Sequence, residues 1–175
     1  MIRTYLGLGA NLGNRQGQLE HALALLMCRP GIRLLRISSL YETEPVDVTG
    51  SWFFNSVVEV ETSLVSLELL EALLQVEEAC GRPRVRQRGE ARVVDIDLLL
   101  YGSQIITEPK LQVPHPRMHL RRFVLVPLAE LDPGLAHPGL GTRVDDLLTQ
   151  LPPGAEVRMV ARDWFFARVE ERSLP

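Results

Sequence analysis

The chain has 175 residues, of which 46% are hydrophobic and 23% are charged, and its formal net charge is −3. This length suits one hydrophobic core and is short for two, so we expect a single domain over residues 1–175. The charge balance argues against a nucleic-acid or anionic-membrane partner. No apolar run approaches the roughly 20 residues of a membrane span, and the N-terminus lacks a signal-peptide pattern, so the sequence predicts a cytoplasmic protein.

The first part of the chain predicts a strand, a helix and a pair of strands. The apolar run at 2–9 ends in glycines and predicts a strand. Asn14 stands where an N-cap residue is expected, and apolar residues continue at helical spacing until 29–31. Residues 32–45 and 53–63 predict two further strands, which a long connection joins as a hairpin.

A second helix and a fourth strand follow. Ser66 can cap a helix that ends before Gly81, and 93–102 predict the fourth strand. The order β-α-β-β-α-β matches a ferredoxin-like α+β core, with an antiparallel sheet and helices on one of its faces. Residues 108–175 add a Pro-rich stretch, two short helices and an aromatic C-terminal tail.

Two aspartates interrupt the apolar fourth strand. Because side chains alternate along a strand, Asp95 and Asp97 share one face about 7 Å apart, while the alternate set that ends with Leu100 packs on the helices. Two ionised carboxylates at this distance repel each other. Two interpretations stand: a solvated or arginine-paired face, or a divalent-cation site. Mg²⁺ suits the second, since it binds few carboxylates and shares phosphate oxygens.

An arginine cluster lies just before this strand and favours the cation interpretation. Guanidinium groups together with Mg²⁺ are what a transferring polyphosphate requires. Glu90 is the acidic residue within the cluster, so the segment is locally basic in an acidic protein. Its members are Arg82, Arg84, Arg86, Arg88 and Arg92.

Other segments give weaker signals. The glycine-rich stretch at 7–15 lacks the Gly-Lys-Ser/Thr ending of a phosphate-binding loop and predicts a tight turn instead. His115 lies between two prolines, which is also typical of an exposed loop histidine. Phe53 and Asn55 share a face of the third strand, which suits a flat heterocycle, although the pattern taken alone favours a core position for Phe53.

An ordered series of segments resembles the 6-hydroxymethyl-7,8-dihydropterin pyrophosphokinase family. The segments are YLGLGANLGNR, SSLYETEP, FFNSVVEVET, EEACGR, RVVDIDLLLYG and VPHPRMHLRRFVLVPLAEL, and they cover residues 5 to about 131. The resemblance implies a monomeric α+β transferase of folate biosynthesis. Its substrates would be ATP and the pterin alcohol, which would receive a pyrophosphoryl group.

The resemblance also implies a role for each candidate site residue. Two Mg²⁺ ions would be held by Asp95 and Asp97, and Arg82 and Arg92 would be catalytic. ATP would be bound by Glu77, Arg84, Arg88, Leu98, His115 and Arg121. The pterin would contact Thr43, Pro45, Val46, Phe53, Asn55 and Phe123, with its ring between the two phenylalanines.

Two positions depart from the family's common pattern. Residues 89–91 are Gly-Glu-Ala, where Trp-Gly-Pro usually precedes the second catalytic arginine, so the usual aromatic lid over the pterin is missing. Leu74 stands where a glutamine that contacts the nucleotide is often found. Neither departure changes the expected metal ligands.

Two other functional classes remain open from the sequence. A nucleotidyltransferase or two-metal phosphohydrolase could use the same pair of aspartates, but it would cleave ATP at a different phosphorus. A non-catalytic ferredoxin-like module would bind its ligand without Mg²⁺ and without turnover. The identity of the released product, AMP or pyrophosphate, separates the first of these classes from a pyrophosphokinase.

Overall fold

The computed structural model of the protein describes residues 1–45, 51–81 and 93–165. Its strands are β1 (Ile2–Ala10), β2 (Ile32–Ile37), β3 (Leu40–Thr43), β4 (Phe53–Thr62), β5 (Asp95–Tyr101), β6 (Ile106–Glu108), β7 (Leu111–Val113) and β8 (Val157–Ala161). Its helices are α1 (Arg15–Met27), α2 (Ser66–Ala79), α3 (Arg122–Leu131) and α4 (Val144–Gln150), with a 3₁₀ turn at Met118–Leu120. In the described ranges, no helix combines the length and apolar character that crossing a membrane requires.

The main sheet is antiparallel and has six strands in the order β5-β1-β4-β3-β8, with β2 also paired to β4. The predicted α+β class with an antiparallel sheet is therefore confirmed. The predicted second strand is divided into β2 and β3 at Ser38 and Ser39. Polar groups hold this bend, because the Ser38 carbonyl accepts a hydrogen bond from Trp164 Nε1 at 3.0 Å and the Ser39 amide donates to Glu130 at 2.9 Å.

Helices cover both faces of the sheet, because the helices of the C-terminal part add a second layer to the layer predicted for α1 and α2. Helices α1 and α2 pack on one face around Leu8, Leu23 and Leu73, all buried. Helices α3 and α4 pack on the other face around Val57 and Leu125. A strand between two layers is buried on both sides, which explains why β4 has an unbroken buried run instead of alternation.

A register shift between Tyr5 and Leu6 changes the pairing of β1 with β5. Tyr5 lies opposite Leu100, whereas Leu6 lies opposite Leu98, so β5 has one extra residue at this point. Such a bulge interrupts the alternation of side chains. As a result Leu100 belongs to the cluster under α3, and the prediction that it packs with α1 and α2 is wrong.

The helix ends test two predicted caps. Asn14 is the N-cap of α1, and its side chain accepts a hydrogen bond from the Gly17 amide at 3.1 Å, as predicted. The prediction of Ser66 as a cap is wrong, because Val65 precedes the helix and Ser66 is its first residue. Gly81 follows α2 with a φ of 92°, a conformation that glycine adopts without strain.

The C-terminal part completes the sheet and the core. Strand β8 pairs with β3 and extends the sheet at that edge. Trp164 and Phe165 then turn into the cluster between the sheet and helices α1 and α2, where both are buried. The two short helices that the sequence predicted in this part are α3 and α4.

Candidate active site

Strand β5 presents the two aspartates on the face of the sheet that α3 partly covers. Asp95 lies opposite Gly9 of β1, and Asp97 lies opposite Gly7. Both carboxylates remain partly exposed, while Ile96 between them is buried against the other layer. The predicted alternation is confirmed from Asp95 to Leu98, before the bulge, and the two acids can be reached from solvent on one face.

A buried carboxylate fixes the strand between these aspartates. Glu77 of α2 is 3% exposed, and its Oε1 accepts a hydrogen bond from the Ile96 amide at 2.7 Å. This contact ties α2 to the start of β5. Glu77 therefore contacts the backbone that carries both acids, and its expected contact with a nucleotide stays a prediction.

Arg121 brings a positive charge to the acidic pair. Its Nη1 lies 3.6 Å from Asp97 Oδ2, and its guanidinium carbon lies 5.4 Å from the centre of the Phe123 ring. The arginine-paired interpretation therefore holds in part for Asp97. That side chain is still 36% exposed, so the pairing leaves room for further ligands.

His115 follows the cis peptide bond between Val113 and Pro114 and is tied to β5, because its amide donates to the Leu99 carbonyl at 2.9 Å. Its Nδ1 accepts a hydrogen bond from the Arg117 amide at 3.2 Å. Burial, together with the positive charges of Arg121 and Arg117, lowers the pKa of His115 to about 4, although Asp95 acts in the opposite direction. At neutral pH the imidazole is uncharged and carries its proton on Nε2, which makes it a hydrogen-bond donor.

Four of the residues expected to contact the pterin lie at the adjoining ends of β3 and β4, namely Thr43, Pro45, Phe53 and Asn55. Asn55 Nδ2 donates a hydrogen bond to Thr43 Oγ1 at 2.5 Å, and both residues are buried. Thr43 lies opposite Phe53, and Pro45 follows at the end of the described segment. A buried amide and hydroxyl that already contact each other form a fixed polar edge next to the partly exposed Phe53 ring.

Glycines of β1 separate this polar edge from the acidic pair. Gly9 lies opposite Asp95 on one side and opposite Asn55 on the other. A Cβ atom at Gly9 would lie 2.9 Å from Asn55 Oδ1, so the side chain of Asn55 occupies the space that a larger residue would take. The sequence prediction missed Gly7 and Gly9 as site residues. Their spacing of two along a predicted strand was the available signal.

The remaining candidates fall into two groups. The Leu98 side chain is buried in the core on the opposite face of the sheet from the aspartates, and Phe123 packs at the edge of the α3 cluster. The other candidates lie outside the described residues. They are Val46, Arg82, Arg84, Arg88 and Arg92.

Solved structures of known proteins share this fold. A Plasmodium falciparum HPPK-DHPS structure with pteroate matches with a TM-score of 0.70 over 85% of this chain, at 15% identity. A second structure of that protein, with SDX-DHP, matches with a TM-score of 0.68 over 86% of the chain. The chain spans 44% and 43% of those two longer chains. The chain thus shares its α+β fold with part of these proteins.

Sequence comparison identifies the family. The family model described as 7,8-dihydro-6-hydroxymethylpterin-pyrophosphokinase (HPPK) matches residues 5–133. The 2-amino-4-hydroxy-6-hydroxymethyldihydropteridine pyrophosphokinase of Methylorubrum extorquens is 41% identical over 160 residues, which cover 91% of this chain and 99% of that protein. The protein of the same name from Bacillus subtilis is 44% identical over 128 residues, covering 73% and 76%. The chain therefore belongs to the HPPK family.

Proposed function

We propose that the protein transfers a pyrophosphoryl group from ATP to 6-hydroxymethyl-7,8-dihydropterin, a step of folate biosynthesis. The hydroxymethyl oxygen forms a bond to the β-phosphorus of ATP, and the bond from that phosphorus to the oxygen bridging the α- and β-phosphates breaks. AMP leaves, and the hydroxyl proton passes to solvent. Membership in a family of pyrophosphokinases supports this ATP-dependent diphosphotransferase activity.

One observation carries the proposal for the site. Asp95, Gly9 and Asn55 lie side by side on three neighbouring strands. Neighbouring strands are about 4.8 Å apart, so the acidic pair and the polar edge are roughly 10 Å apart on one face. A flat heterocycle at Asn55 and a polyphosphate at the aspartates would then meet above the glycines of β1. This arrangement favours a reaction between two bound substrates, since it holds both at one place.

The two aspartates suit Mg²⁺ as the cation. In the described part of the chain, no group of three or more His, Cys, Asp or Glu side chains could hold a metal. Two partly exposed carboxylates agree with a cation that keeps several waters and takes its other ligands from phosphates. We propose that Asp95 and Asp97 bind two Mg²⁺ ions, which offset phosphate charge when bound.

The other residues bind and orient the substrates. Arg121 and the neutral His115 can donate hydrogen bonds to ATP phosphates from beside the aspartates. Thr43 and Asn55 can read the edge of the pterin, and Phe53 can contact its ring. The roles of Arg82 and Arg92 in catalysis, and of Arg84 and Arg88 in ATP binding, stay proposals supported by the sequence resemblance.

Three further expectations are proposed, which concern the topology of the core, the location of the protein and its state of assembly. The strand order of the first half, with β5, β1 and β4 followed by β2 and β3, supports a ferredoxin-like core. The need for ATP supports a cytoplasmic location. A monomer would suffice, because every described candidate lies on one chain.

The test is the identification of both products. The protein is incubated with ATP, Mg²⁺ and 6-hydroxymethyl-7,8-dihydropterin, and the products are followed by ³¹P NMR and mass spectrometry. Equal amounts of AMP and pterin diphosphate are expected. Release of pyrophosphate would instead indicate a nucleotidyltransferase, and metal-independent binding without turnover would indicate a binding module.

A matched control uses a dihydropterin that carries a methyl group in place of the hydroxymethyl group. This compound retains the ring and its polar edge but lacks the attacking oxygen. It should bind, compete with the substrate and yield no AMP. AMP production from ATP in its presence would indicate hydrolysis rather than transfer.

A further inference from the structure

The proposed pterin edge consists of Thr43, Phe53 and Asn55. Arg15, the first residue of α1, contacts the strands that carry this edge and the residue just before β4. Its Nη1 donates to the Trp52 carbonyl at 2.7 Å, and its Nη2 lies 2.9 Å from Glu42 Oε1. Its guanidinium carbon lies 3.9 Å from the centre of the Phe54 ring. One side chain thus contacts β3, the start of β4 and the residue just before β4.

These contacts lie directly behind the proposed pterin edge. Glu42 and Phe54 are opposite each other, and Thr43 and Phe53 form the neighbouring pair. Because side chains alternate along a strand, Glu42 and Phe54 face the side of α1 while Thr43 and Phe53 face the proposed site. Arg15 therefore fixes, from the back of the sheet, the strand ends that the pterin would contact at the front.

Trp52 is held from a second side by the C-terminal strand. The guanidinium carbon of Arg158 in β8 lies 5.0 Å from the centre of the Trp52 ring. Glu44 is also held there, because its amide donates to the Glu156 carbonyl at 3.1 Å. A cleft of about 530 Å³ lies between Trp52, Arg158 and Asn11. On this side, Arg15, Glu42, Trp52 and Arg158 thus surround an open cleft.

We propose that Arg15 is a positioning residue for the acceptor substrate of the reaction. It holds Trp52 and Glu42 so that Phe53 and Thr43 keep the spacing that a bound pterin needs. The inference rests on the proposed function, because it assumes that the pterin binds at Thr43, Phe53 and Asn55. Arg15 itself does not touch the pterin.

The chemistry of the contacts requires arginine. Two separate nitrogens serve the Trp52 carbonyl and the Glu42 carboxylate, while the flat face of the same group lies on Phe54. The ammonium group of lysine is a point charge, and it cannot reproduce this planar arrangement. Lysine would keep the attraction to Glu42 but could not also bind the Trp52 carbonyl and stack on Phe54 in the same geometry.

The first experiment compares Arg15→Lys and Arg15→Ala with Arg33→Ala. Arg33 also pairs with a glutamate, Glu61, at 2.6 Å, but this pair joins β2 to β4 away from the proposed site. Both Arg15 variants should raise the KM and the Kd for the pterin about tenfold, a factor that corresponds to about 1.4 kcal/mol. The Kd for an ATP analogue with a methylene bridge between the α- and β-phosphates should stay within twofold. Arg33→Ala should change neither affinity.

A spectroscopic readout follows Trp52 itself. The chain has two tryptophans, so labelling with 5-fluorotryptophan gives two ¹⁹F resonances, which Trp52→Phe assigns. Both Arg15 variants should shift the Trp52 resonance, and the Trp164 resonance should stay in place. A general loss of packing would move both resonances and lower the affinity for both substrates, which would contradict a positioning role.

The outcomes separate this inference from the proposed function. If the wild-type protein neither binds the pterin nor releases AMP, the proposed function fails. If the wild-type protein binds the pterin and Arg15→Ala binds it equally well, the positioning role fails while the function stands. A Trp52 resonance that does not change in Arg15→Ala would also overturn the positioning role.

Discussion

The two faces of the main sheet differ in how completely helices cover them. On one face, α1 and α2 lie over a continuous apolar cluster that contains Leu8, Leu23 and Leu73. On the other face, α3 and α4 cover Val57 and Leu125, but Asp95 and Asp97 remain partly exposed. The candidate site therefore lies where the second layer ends. One sheet can serve both purposes because burial on the first face stabilises the strands that the second face uses.

The largest effect is expected from removing one charge of the acidic pair. Asp97→Asn keeps the shape of the side chain but weakens cation binding, so kcat should fall by about 10²–10³-fold or more. The melting temperature without Mg²⁺ should change little, since the repulsion from Asp95 and the attraction to Arg121 are weakened together. Steady-state kinetics and thermal unfolding test this together. Near-normal turnover at ordinary Mg²⁺ would rule out the metal assignment.

Truncation of one leucine in each layer tests the division between the faces. Leu23 and Leu125 are both fully buried, so Leu23→Ala and Leu125→Ala should each lower the free energy of unfolding by about 2–5 kcal/mol. Per folded molecule, Leu23→Ala should keep its substrate affinities. Leu125→Ala should weaken ATP binding, because α3 begins directly after Arg121.

Denaturant unfolding and calorimetry at a temperature where both variants are folded measure these effects. Equal loss of ATP affinity in the two variants would show that the faces are not independent.

Closing the space above β1 should have a smaller and more selective effect. Gly9→Ala places a methyl group against Asn55 Oδ1 and should displace that amide from its contact with Thr43. We expect about a tenfold loss of pterin affinity, equivalent to about one or two hydrogen bonds, with little change for ATP. Gly7 lies opposite Asp97 and its nearest side-chain neighbour, on Leu99, is 3.4 Å away, so Gly7→Ala is the control for pterin affinity alone and should leave that affinity unchanged. Unchanged pterin binding in Gly9→Ala would place the pterin elsewhere.

The smallest effect at neutral pH concerns the protonation of His115. Its pKa is lowered from 6.5 to about 4 in the folded protein. As the pH falls from about 6.5 to about 4, His115 binds a proton in the unfolded chain but not in the folded chain. The contribution of His115 to the free energy of unfolding therefore decreases over this window and is constant above it. NMR titration of the imidazole gives the pKa, and His115→Gln should lose this part of the pH dependence. A measured pKa near 6.5 would contradict the buried, uncharged state.

The sequence predicted those parts of the fold that local patterns determine. The apolar spacing of α1, its Asn14 cap and the alternation around Asp95 depend on neighbours in the chain, and they are confirmed. The second layer depends on long-range packing. The second face of β4 is covered by α3, which comes from a distant part of the chain, so no local pattern in β4 could indicate it. The bulge opposite Tyr5 has no local sequence signal.

The candidate site shows the same division. The aspartates stand out as charges in an apolar strand, and Asn55 stands out as an amide in another. The roles of Gly9 and Arg15 depend on which strands become neighbours, so sequence spacing alone could not assign them. Glu77 was expected near the nucleotide. Its hydrogen bond with the Ile96 amide depends on the packing of α2 against β5, which is a long-range feature.

The hydrogen bond from Trp164 to the Ser38 carbonyl joins residues 126 positions apart. During synthesis, α1, the first four strands and α2 emerge from the ribosome well before Trp164 and Phe165, which complete the cluster under them. The nascent chain must therefore keep an incomplete apolar layer until residue 165 has been released. Exposed apolar surface of this kind promotes aggregation and chaperone binding, so the interval before the aromatic pair docks is when the growing chain is most dependent on chaperones.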